Sequence, residues 1–518
     1  MTVPLQPSIL RPTTLPEAET LIAELQRRLQ LSELRVLRLE EQLRLRRMEK
    51  YGPGSEKLSN LQLELLEQEP GVSTAEVQGE SGRPAVEDQA AEVMVREHKR
   101  RKHPGRQTLP PDLPRVERVI PCLPAQCVCG RCGKATKIIG YDVSEQLEME
   151  PAKYFVVVNK REKRACECGK NGVATAPAPA RIIEKSLAGD SLILDTLIGK
   201  YCNHLPLYRQ SLILRREAGL ELSRETLDGW VMRVGQLLIP VVQAMRNELL
   251  RSCYLQADET PVDVQTRDGS GSNHQAYLWQ YGHPGGGVVF EFRMGRGREG
   301  PKQFLRDYAG ILQTDGYIAY EGVGASGLVH AACWSHVRRG FYDVVKLNPG
   351  DPAALPIVEK INELFAIDAW AREHHLAVDA RHVLRQKQAP AVLQAIRGMI
   401  EKAKVQALPG GSLDKACQYA TNLGAKLTRF LQYPELELSN NLAENAMRPI
   451  AVGRKNWIHI GSPQAGPKVA AIISVIETCR RLKISAREYL AAVLPGLANT
   501  SMQRLSALTP SAWAATPH

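Results

Sequence analysis

The stretch YLQADETPVDV (residues 254–264) decides the fold of the largest part of the chain. Its first residues are apolar or neutral and are typical of a buried strand, which then runs into the carboxylates Asp258 and Glu259. A buried charge costs several kcal/mol unless a partner neutralises it. A metal ion is one such partner, so the rest of the chain must supply further ligands.

The residues around this stretch are predicted to form strands with one helix between them. The strands are SCYLQAD, HQAYLWQYGH, GGVVFEFRMG, GILQTDGYIAY and GLVHAACW, and the helix is PKQFLRDYAG. This order is typical of a ribonuclease-H-like α/β sheet. In this interpretation Asp258 ends the first strand and Asp315 ends the fourth. Neighbouring strands place their C-terminal ends side by side, so we expect the two acids to meet and to bind Mg²⁺.

A third carboxylate is predicted on a helix further along the chain. SNNLAENAMRPI (439–450) has a Ser or Asn as its cap, and Pro449 is expected to end the helix. Glu444 lies about one turn into it, where it would complete a site for two metal ions. An exposed pair of Glu444 with Arg448, four residues later, is the alternative interpretation.

The basic continuation GRKNWIHIG predicts a DNA-facing loop beyond that helix. Its side chains suit contacts to phosphates and stacking on a base. The DNA-binding candidates of this region are Arg448, Arg454, Lys455 and Trp457.

A second basic segment, REHKRRKHPGR (96–106), follows a linker rich in Gly, Pro, Ser and acids. Lys99, Arg100, Arg101 and Lys102 are candidates for phosphate contacts, and a solvated charged stretch is the alternative. The net charge of +11 also favours a polyanionic partner over a merely basic surface.

The cysteines predict a structural zinc site. Six of the 11 Cys residues lie between Cys122 and Cys168. Cys129 and Cys132 form a C-x-x-C pair, and Cys166 and Cys168 form a C-x-C pair, each followed by Gly. Four thiolates in two close pairs suit tetrahedral Zn²⁺, with the other two Cys of the cluster as alternative ligands and a redox dithiol as the alternative function. YFVVVNKREKRAC, between the pairs, is predicted as strand.

Residues 17–50 predict a coiled-coil helix. They contain no Gly or Pro, and apolar residues fall at heptad positions, with Ser32 and Arg46 breaking the seam. The heptad residues are Ile22, Leu25, Leu29, Val36, Leu39 and Leu43. We expect self-association through this helix, and the alternative is packing on its own chain.

Three further helices are predicted between residues 188 and 245, the last with an N-terminal cap at Ser223. The joint EAGLELSRET resembles that of a helix-turn-helix, and simple helical packing is the alternative.

Taken together, its motifs make the chain resemble a bacterial DDE-class transposase of insertion-sequence family sixty-six. The matching stretches follow the family's order: YGPGSEKL, LPPDLPRVE, CGRCG, KYCNHLPLYRQ, ADETPVDV, QTDGYIAY, CWSHVRRGF, SNNLAENAMRP, GRKNWIHIGS and IISVIETCRRLKISAREYL. The resemblance implies that Asp258, Asp315 and Glu444 form the acid triad. Cys333 and His336 match a C-x-x-H element, for which metal binding, a helix cap and packing all stay open.

The expected architecture is multidomain α+β. Its segments are a coiled-coil helix (17–50), a linker and basic arm (51–106), a zinc-binding DNA-binding module (107–180), a helix-turn-helix-like segment (186–246), the first part of a ribonuclease-H-like catalytic core (250–342), an all-helical insertion (343–435), the catalytic Glu helix with its DNA-facing loop (436–460) and a C-terminal helical segment (461–518).

The expected function is cleavage and strand transfer of insertion-sequence ends with Mg²⁺ or Mn²⁺, supported by structural Zn²⁺. The expected partners are double-stranded DNA (element ends and target), further copies of the chain and small accessory proteins. The alternatives are a DNA-binding regulator with an inactive catalytic domain, a nuclease without strand transfer and a coiled-coil scaffold. No apolar run of membrane-spanning length and no signal-peptide pattern occurs, so we expect a cytoplasmic, nucleoid-associated protein.

Overall fold

The computed structural model describes residues 14–51, 153–165, 173–266, 272–348 and 350–516. The chain divides into two compact units, one of Met1–Val86 with Arg161–His518 and one of Glu87–Lys160. In the second unit, the described residues 153–160 are mostly exposed and have no regular secondary structure.

The strand predicted for YFVVVNKREKRAC is therefore wrong for most of its length. Only β1 (Lys163–Ala165) forms, paired antiparallel with β2 (Val173–Thr175). The valines of the segment have high β-propensity, but propensity gives a strand only where a neighbouring strand offers a surface for packing. In the described part of the chain, such a partner is present only for residues 163–165.

Helix α1 (Leu15–Tyr51) follows the leucine-rich segment and confirms the predicted N-terminal helix. Its C-terminal half contacts the rest of its unit, since the Ser412 N–H donates to Glu41 Oε1 at 2.6 Å. All six predicted heptad residues are more than half exposed, and Leu29 reaches 60%. Pairing of this apolar stripe with a second helix stays a prediction.

A five-stranded mixed sheet forms the centre of the first unit, in the order β5-β4-β3-β6-β7. The strands are β3 (Tyr254–Val264), β4 (His274–Gly282), β5 (Val288–Arg293), β6 (Ile311–Thr314) and β7 (Val329–Ala332). Strands β3, β4 and β5 are antiparallel neighbours, whereas β6 runs parallel to β3 and β7 parallel to β6. Helix α5 (Glu299–Leu305) lies between β5 and β6 in the chain.

Two strand ends differ from the prediction. Asp258 does not end β3, which continues to Val264, because β4 supplies antiparallel hydrogen bonds beyond the point where the parallel partner β6 has ended. Strand β6 stops at Thr314. Gly316, at φ +90°, then turns the chain, and Ile318–Tyr320 form a 3-10 helix where strand was predicted.

The three helices predicted before the sheet are present as α2 (Asp190–Tyr201), α3 (Leu207–Ala218) and α4 (Arg224–Leu249). The Ser223 hydroxyl accepts the Thr226 N–H at 3.2 Å, which is the predicted cap. Val234, Leu238 and Val241 of α4 are fully buried, so one face of this helix belongs to the core. DNA binding by the segment stays a prediction.

The described residues from β7 to residue 435 contain only helices as regular structure. They are α6 (Trp334–Leu347), α7 (Ala354–Glu373), α8 (Val378–Gln406), α9 (Ser412–Asn422), α10 (Gly424–Leu427) and the 3-10 turn Arg429–Leu431. Their apolar faces share one core with β3, β6 and β7. Within it Arg385 and Asp368 form an ion pair whose side chains are 1% and 2% exposed.

Helix α11 (Asn441–Trp457) corrects the prediction that Pro449 ends the Glu-bearing helix. A proline inside a helix costs about 3 kcal/mol. Ile450 and Gly453, on the following turn, are buried, and this packing keeps the helix continuous. The helix stops at Ile458, which has φ +66°, and Ile460 then forms a parallel bridge with Val264 of β3.

The C-terminal helices are α12 (Gly466–Arg481), α13 (Ala486–Val493) and α14 (Pro510–Ala514). Helix α12 covers the outer edge of β5 with two hydroxyls. Ser474 Oγ accepts the Phe290 N–H at 2.8 Å, and Thr478 Oγ1 bonds the N–H and carbonyl of Val288 at 3.0 and 2.9 Å. These bonds satisfy backbone groups that an edge strand leaves unpaired. Among the described helices, none is long and apolar enough to cross a membrane.

Candidate metal centre

The pairing of β3 with β6 brings Asp258, inside β3, near Asp315, the residue that directly follows β6. Gln256 is the partner of Gln313 in this parallel ladder, and each aspartate lies two residues beyond its glutamine. Side chains two residues apart on a strand lie on the same face of the sheet. Asp258, inside its strand, therefore lies on the face that the helical insertion covers. Asp315 directly follows β6, and its charge raises the pKa of both Asp258 and Glu259.

Asp258 lies among negative charges. Burial, followed by the charges of Glu444 and Glu259, raises the pKa of Asp258 to about 8, with a smaller contribution from Asp315. His336 acts in the opposite direction. The carboxylate accepts the N–H of the next residue, Glu259, at 2.9 Å, which leaves most of its charge uncompensated. A cation bound at Asp258 would offset the free-energy cost of its buried negative charge.

Asp315 is fixed by the turn that follows β6. Its Oδ1 accepts the Tyr317 N–H at 2.8 Å, and its carbonyl accepts the Tyr419 hydroxyl from α9. Gly316 has φ +90°, which favours glycine, and a Cβ there would lie 2.8 Å from the end of the Leu423 side chain, which would have to move. The turn after β6 and the helical insertion thus both fix the position of Asp315.

Glu444, in the first turn of α11, is held by two cations of α6. Its Oε1 lies 3.5 Å from His336 Nε2, and its Oε2 lies 3.4 Å from Arg339 Nη2. His336 and Arg339 are three residues apart and so project from one face of α6. Burial alone would lower the pKa of His336, but Cys333 and Glu444 raise it to about 10, which favours the protonated imidazole.

The C-x-x-H element Cys333–His336 thus adjoins the site. Cys333 is the residue before α6, and its sulfur accepts the Asn440 N–H at 3.4 Å, just ahead of α11. His336 contacts Glu444 directly. Arg339 was missed from the sequence, although its spacing of three residues from His336 on a helix was the available signal.

Glu259 faces the opposite side of the sheet, as expected for the next residue on a strand. Its Oε1 accepts from Arg296 Nη2 at 2.7 Å, and its Oε2 accepts the Tyr320 hydroxyl at 3.0 Å. Burial raises its pKa, and the hydrogen bonds from Arg296 and Tyr320 act against that rise. Glu259 is therefore already paired and is not brought together with Glu444.

Residues 453–457 of the predicted DNA-facing loop GRKNWIHIG belong to α11, and only residues 458–461 lie beyond the helix. Arg448, Arg454, Lys455 and Trp457 all lie on α11, because the helix continues through Pro449. Lys455 is exposed, whereas Arg454 is half-buried and donates to the Pro261 carbonyl of β3.

The remaining predicted site residues lie outside the described residues. They are Cys129, Cys132, Cys166 and Cys168 of the zinc site and Lys99, Arg100, Arg101 and Lys102 of the basic arm. The five cysteines in the described part of the chain are all free thiols.

The three carboxylates fit a hard divalent cation by their chemistry. Carboxylate oxygens are the ligands that Mg²⁺ prefers, and Asp258 is destabilised by the other acids unless a cation is present. Glu444 Oε1 is also buried without a hydrogen-bond partner. In the described residues, no group of three His, Cys, Asp or Glu side chains is arranged to hold a metal ion, and Glu444 contacts His336 and Arg339.

Comparison with known proteins gives three family matches. Residues 185–468 match the Transposase IS66 family, residues 38–118 match Transposase C of IS166 homeodomain, and residues 126–169 match the zinc-finger binding domain of transposase IS66. The first match spans more than half of the chain.

Similar proteins occur in Sinorhizobium fredii (strain NBRC 101917 / NGR234), and each is named an uncharacterized protein. The protein y4qI is 30% identical over 481 residues, which is 90% of this chain and 86% of y4qI. The protein y4jD is 30% identical over 424 residues, 79% of this chain and 82% of y4jD. The transposase and zinc-finger domains identify DNA as a partner. The chain therefore belongs to the IS66 transposase family.

Proposed function

We propose that the protein binds the ends of an insertion sequence and catalyses DNA cleavage and strand transfer at Asp258, Asp315 and Glu444. The observation that supports this proposal is that Asp258 and Asp315 each lie two residues beyond the ladder partners Gln256 and Gln313, and that the charge of Glu444 from α11 acts on Asp258. The strand order, with three antiparallel strands and two parallel ones beyond the first, supports a ribonuclease-H-like catalytic core.

The three carboxylates would hold Mg²⁺ or Mn²⁺, which supplies charge stabilisation and lowers the pKa of a nucleophilic water or hydroxyl when bound. The chain's own residues position these ligands. Asp258 and Asp315 are fixed by the sheet and its turn, and His336 with Arg339 holds Glu444 on the same side. Metal binding requires Glu444 to exchange at least part of these contacts for the cation.

The proposed reaction has two steps. Water attacks a phosphodiester at the element end, and the bond to the 3′ oxygen breaks, which frees a 3′-hydroxyl. That hydroxyl then attacks a phosphodiester of the target, which forms one bond and releases one 3′-hydroxyl. Neither step needs a covalent bond to the protein.

DNA contacts are proposed for the exposed Lys455, for Arg448, Arg454 and Trp457 of α11, and for the basic arm. A Zn²⁺ ion at Cys129, Cys132, Cys166 and Cys168 would stabilise the N-terminal module. We further propose a multimer joined through α1, help from small accessory proteins, and action in the cytoplasm at the nucleoid.

A cleavage and joining assay tests the proposal. Purified protein is incubated with a labelled duplex that carries its element end, with Mg²⁺ or Mn²⁺, beside Asp258→Asn and Glu444→Gln variants. Metal-dependent nicking and joining that both variants lose is the expected result. Nicking without joining would instead indicate a nuclease. Binding without cutting, even with accessory proteins added, would indicate a DNA-binding regulator.

A further inference from the structure

A buried polar network lies beside Asp258, on the same face of the sheet, and two residues before Asp315. Gln256 and Gln313 are 1% and 0% exposed, and they are ladder partners two residues before Asp258 and Asp315. Gln256 Nε2 lies 3.1 Å from Gln313 Oε1, and the Tyr254 hydroxyl, itself buried, donates to the same oxygen. A buried amide is costly unless it is hydrogen-bonded, so the bonded groups constrain one another, while Gln256 Oε1 is buried without a hydrogen-bond partner.

The network reaches across to the segment that leads into α11. Gln313 Nε2 donates to the Glu437 carbonyl at 2.7 Å, and Gln256 Nε2 donates to the Ser439 carbonyl at 3.0 Å. The carbonyl between them, that of Leu438, accepts the backbone N–H of Trp334 at 2.9 Å. Three successive carbonyls are therefore fixed, although this segment belongs to none of the sheet's strands.

Residues 437–439 determine where helix α11 begins, and so where Glu444 lies. Residue 439 is two residues before the first residue of α11, and Glu444 Nα donates to the Asn440 carbonyl at 3.2 Å in the first helical turn. A displacement of residues 437–439 would therefore move the Glu444 carboxylate relative to both aspartates.

From this we infer that Gln256 and Gln313 are positioning residues, which lock the Glu-bearing helix to the two strands that carry the aspartates and so assemble the metal site. The inference rests on the proposed function, since it assigns the glutamines a role toward the same divalent cation. They touch neither the ion nor DNA in this role.

Manganese binding to the full-length protein without DNA tests the inference. Gln256→Met and Gln313→Met keep the side-chain length but remove the donors, and each should weaken Mn²⁺ binding, measured by calorimetry, by about 10- to 100-fold. Cleavage by these variants should recover in part at high Mn²⁺ concentration, because the ligands themselves are retained. Asp258→Asn gives the blank for binding outside the site.

Gln210→Met is the matched control. Gln210 is also buried and also donates to two backbone carbonyls, those of Thr196 and Leu205, but it lies between α2 and α3. Its loss should lower stability without changing the Mn²⁺ affinity. If a glutamine variant does not fold, as judged by circular dichroism, Tyr254→Phe removes only one hydroxyl from the network and should weaken Mn²⁺ binding by a smaller factor.

The two hypotheses fail in different ways. Unchanged Mn²⁺ affinity in the folded network variants, with a wild type that binds and cleaves, would overturn the positioning role alone. A weakening in Gln210→Met as large as in Gln313→Met would do the same, because the effect would then follow from stability. A wild type that neither binds Mn²⁺ at Asp258 nor cleaves DNA would overturn the proposed function itself.

Discussion

Replacing Asp258 with Asn should stabilise the protein in the absence of Mg²⁺ and Mn²⁺, while it removes activity. Burial and the neighbouring acids Glu444 and Glu259 raise the pKa of Asp258 to about 8 in the folded chain. In an unfolded chain an aspartate titrates near 3.9. Between these values the folded state holds a proton that the unfolded state has released, so stability falls as the pH rises. Below about pH 4 both states are protonated and the penalty vanishes.

The size of the effect follows from the shift. At pH 7 the solution is about three pH units above the pKa of aspartate in the unfolded chain, and each unit corresponds to about 1.4 kcal/mol. The penalty on folding can therefore reach about 4 kcal/mol at most. Asp258 keeps part of its surface open to solvent, so we expect about half of this limit, on the order of 2 kcal/mol. Asn has nearly the same shape as Asp and no charge, so Asp258→Asn should raise the free energy of unfolding by this amount.

Urea unfolding at about pH 5.5 and pH 8, in buffer without Mg²⁺ or Mn²⁺, measures the change. The free energy of unfolding of Asp258→Asn should exceed that of wild type, and by more at pH 8 than at pH 5.5. Asp263→Asn, at an exposed position of the same strand, is the control and should change little. Equal stability of Asp258→Asn and wild type at pH 8, or a gain that does not grow with pH, would refute the reasoning.

Two further changes test other parts of the structure. Arg385→Met leaves Asp368 buried without its partner and should lower the free energy of unfolding, measured in urea, by about 3–5 kcal/mol. Adding Asp368→Leu should recover most of this loss. A loss below about 1 kcal/mol in Arg385→Met would contradict the burial of the pair. Leu29→Glu on the heptad stripe of α1 should weaken self-association by at least about tenfold in sedimentation, from about 1.5–3 kcal/mol of lost apolar burial. Leu31→Glu, equally exposed (59%) but off the stripe, should not, and equal effects would count against the coiled coil.

The sheet could be predicted from the sequence because its strands are marked by local patterns. Alternating apolar residues and Gly-rich turns located β3, β4, β5 and β7, and the acids at two strands indicated which ones should be neighbours. The end of β3 could not be predicted. It depends on how far β4 continues to pair beyond Asp258, which is a property of two strands together and not of either sequence.

The contacts around Glu444 were beyond the sequence for a similar reason. Local rules place a helix end at Pro449, whereas packing of Ile450 and Gly453 carries α11 through the proline. His336 and Arg339 contact Glu444 from a helix about a hundred residues earlier in the chain. In the sequence, Gln256 and Gln313 look like ordinary strand residues. Such long-range pairings leave no local pattern, so they emerge only when the chain is folded.

The position of Glu444 beyond the helical insertion has a consequence during synthesis. The strands with Asp258 and Asp315 leave the ribosome first, whereas Glu444 follows only after the whole insertion. At about 5–20 residues per second, the delay between Asp315 and Glu444 is on the order of ten seconds. During that interval the nascent chain carries two of its three acids, so an enzyme that cuts DNA would stay harmless until nearly all of it has been translated.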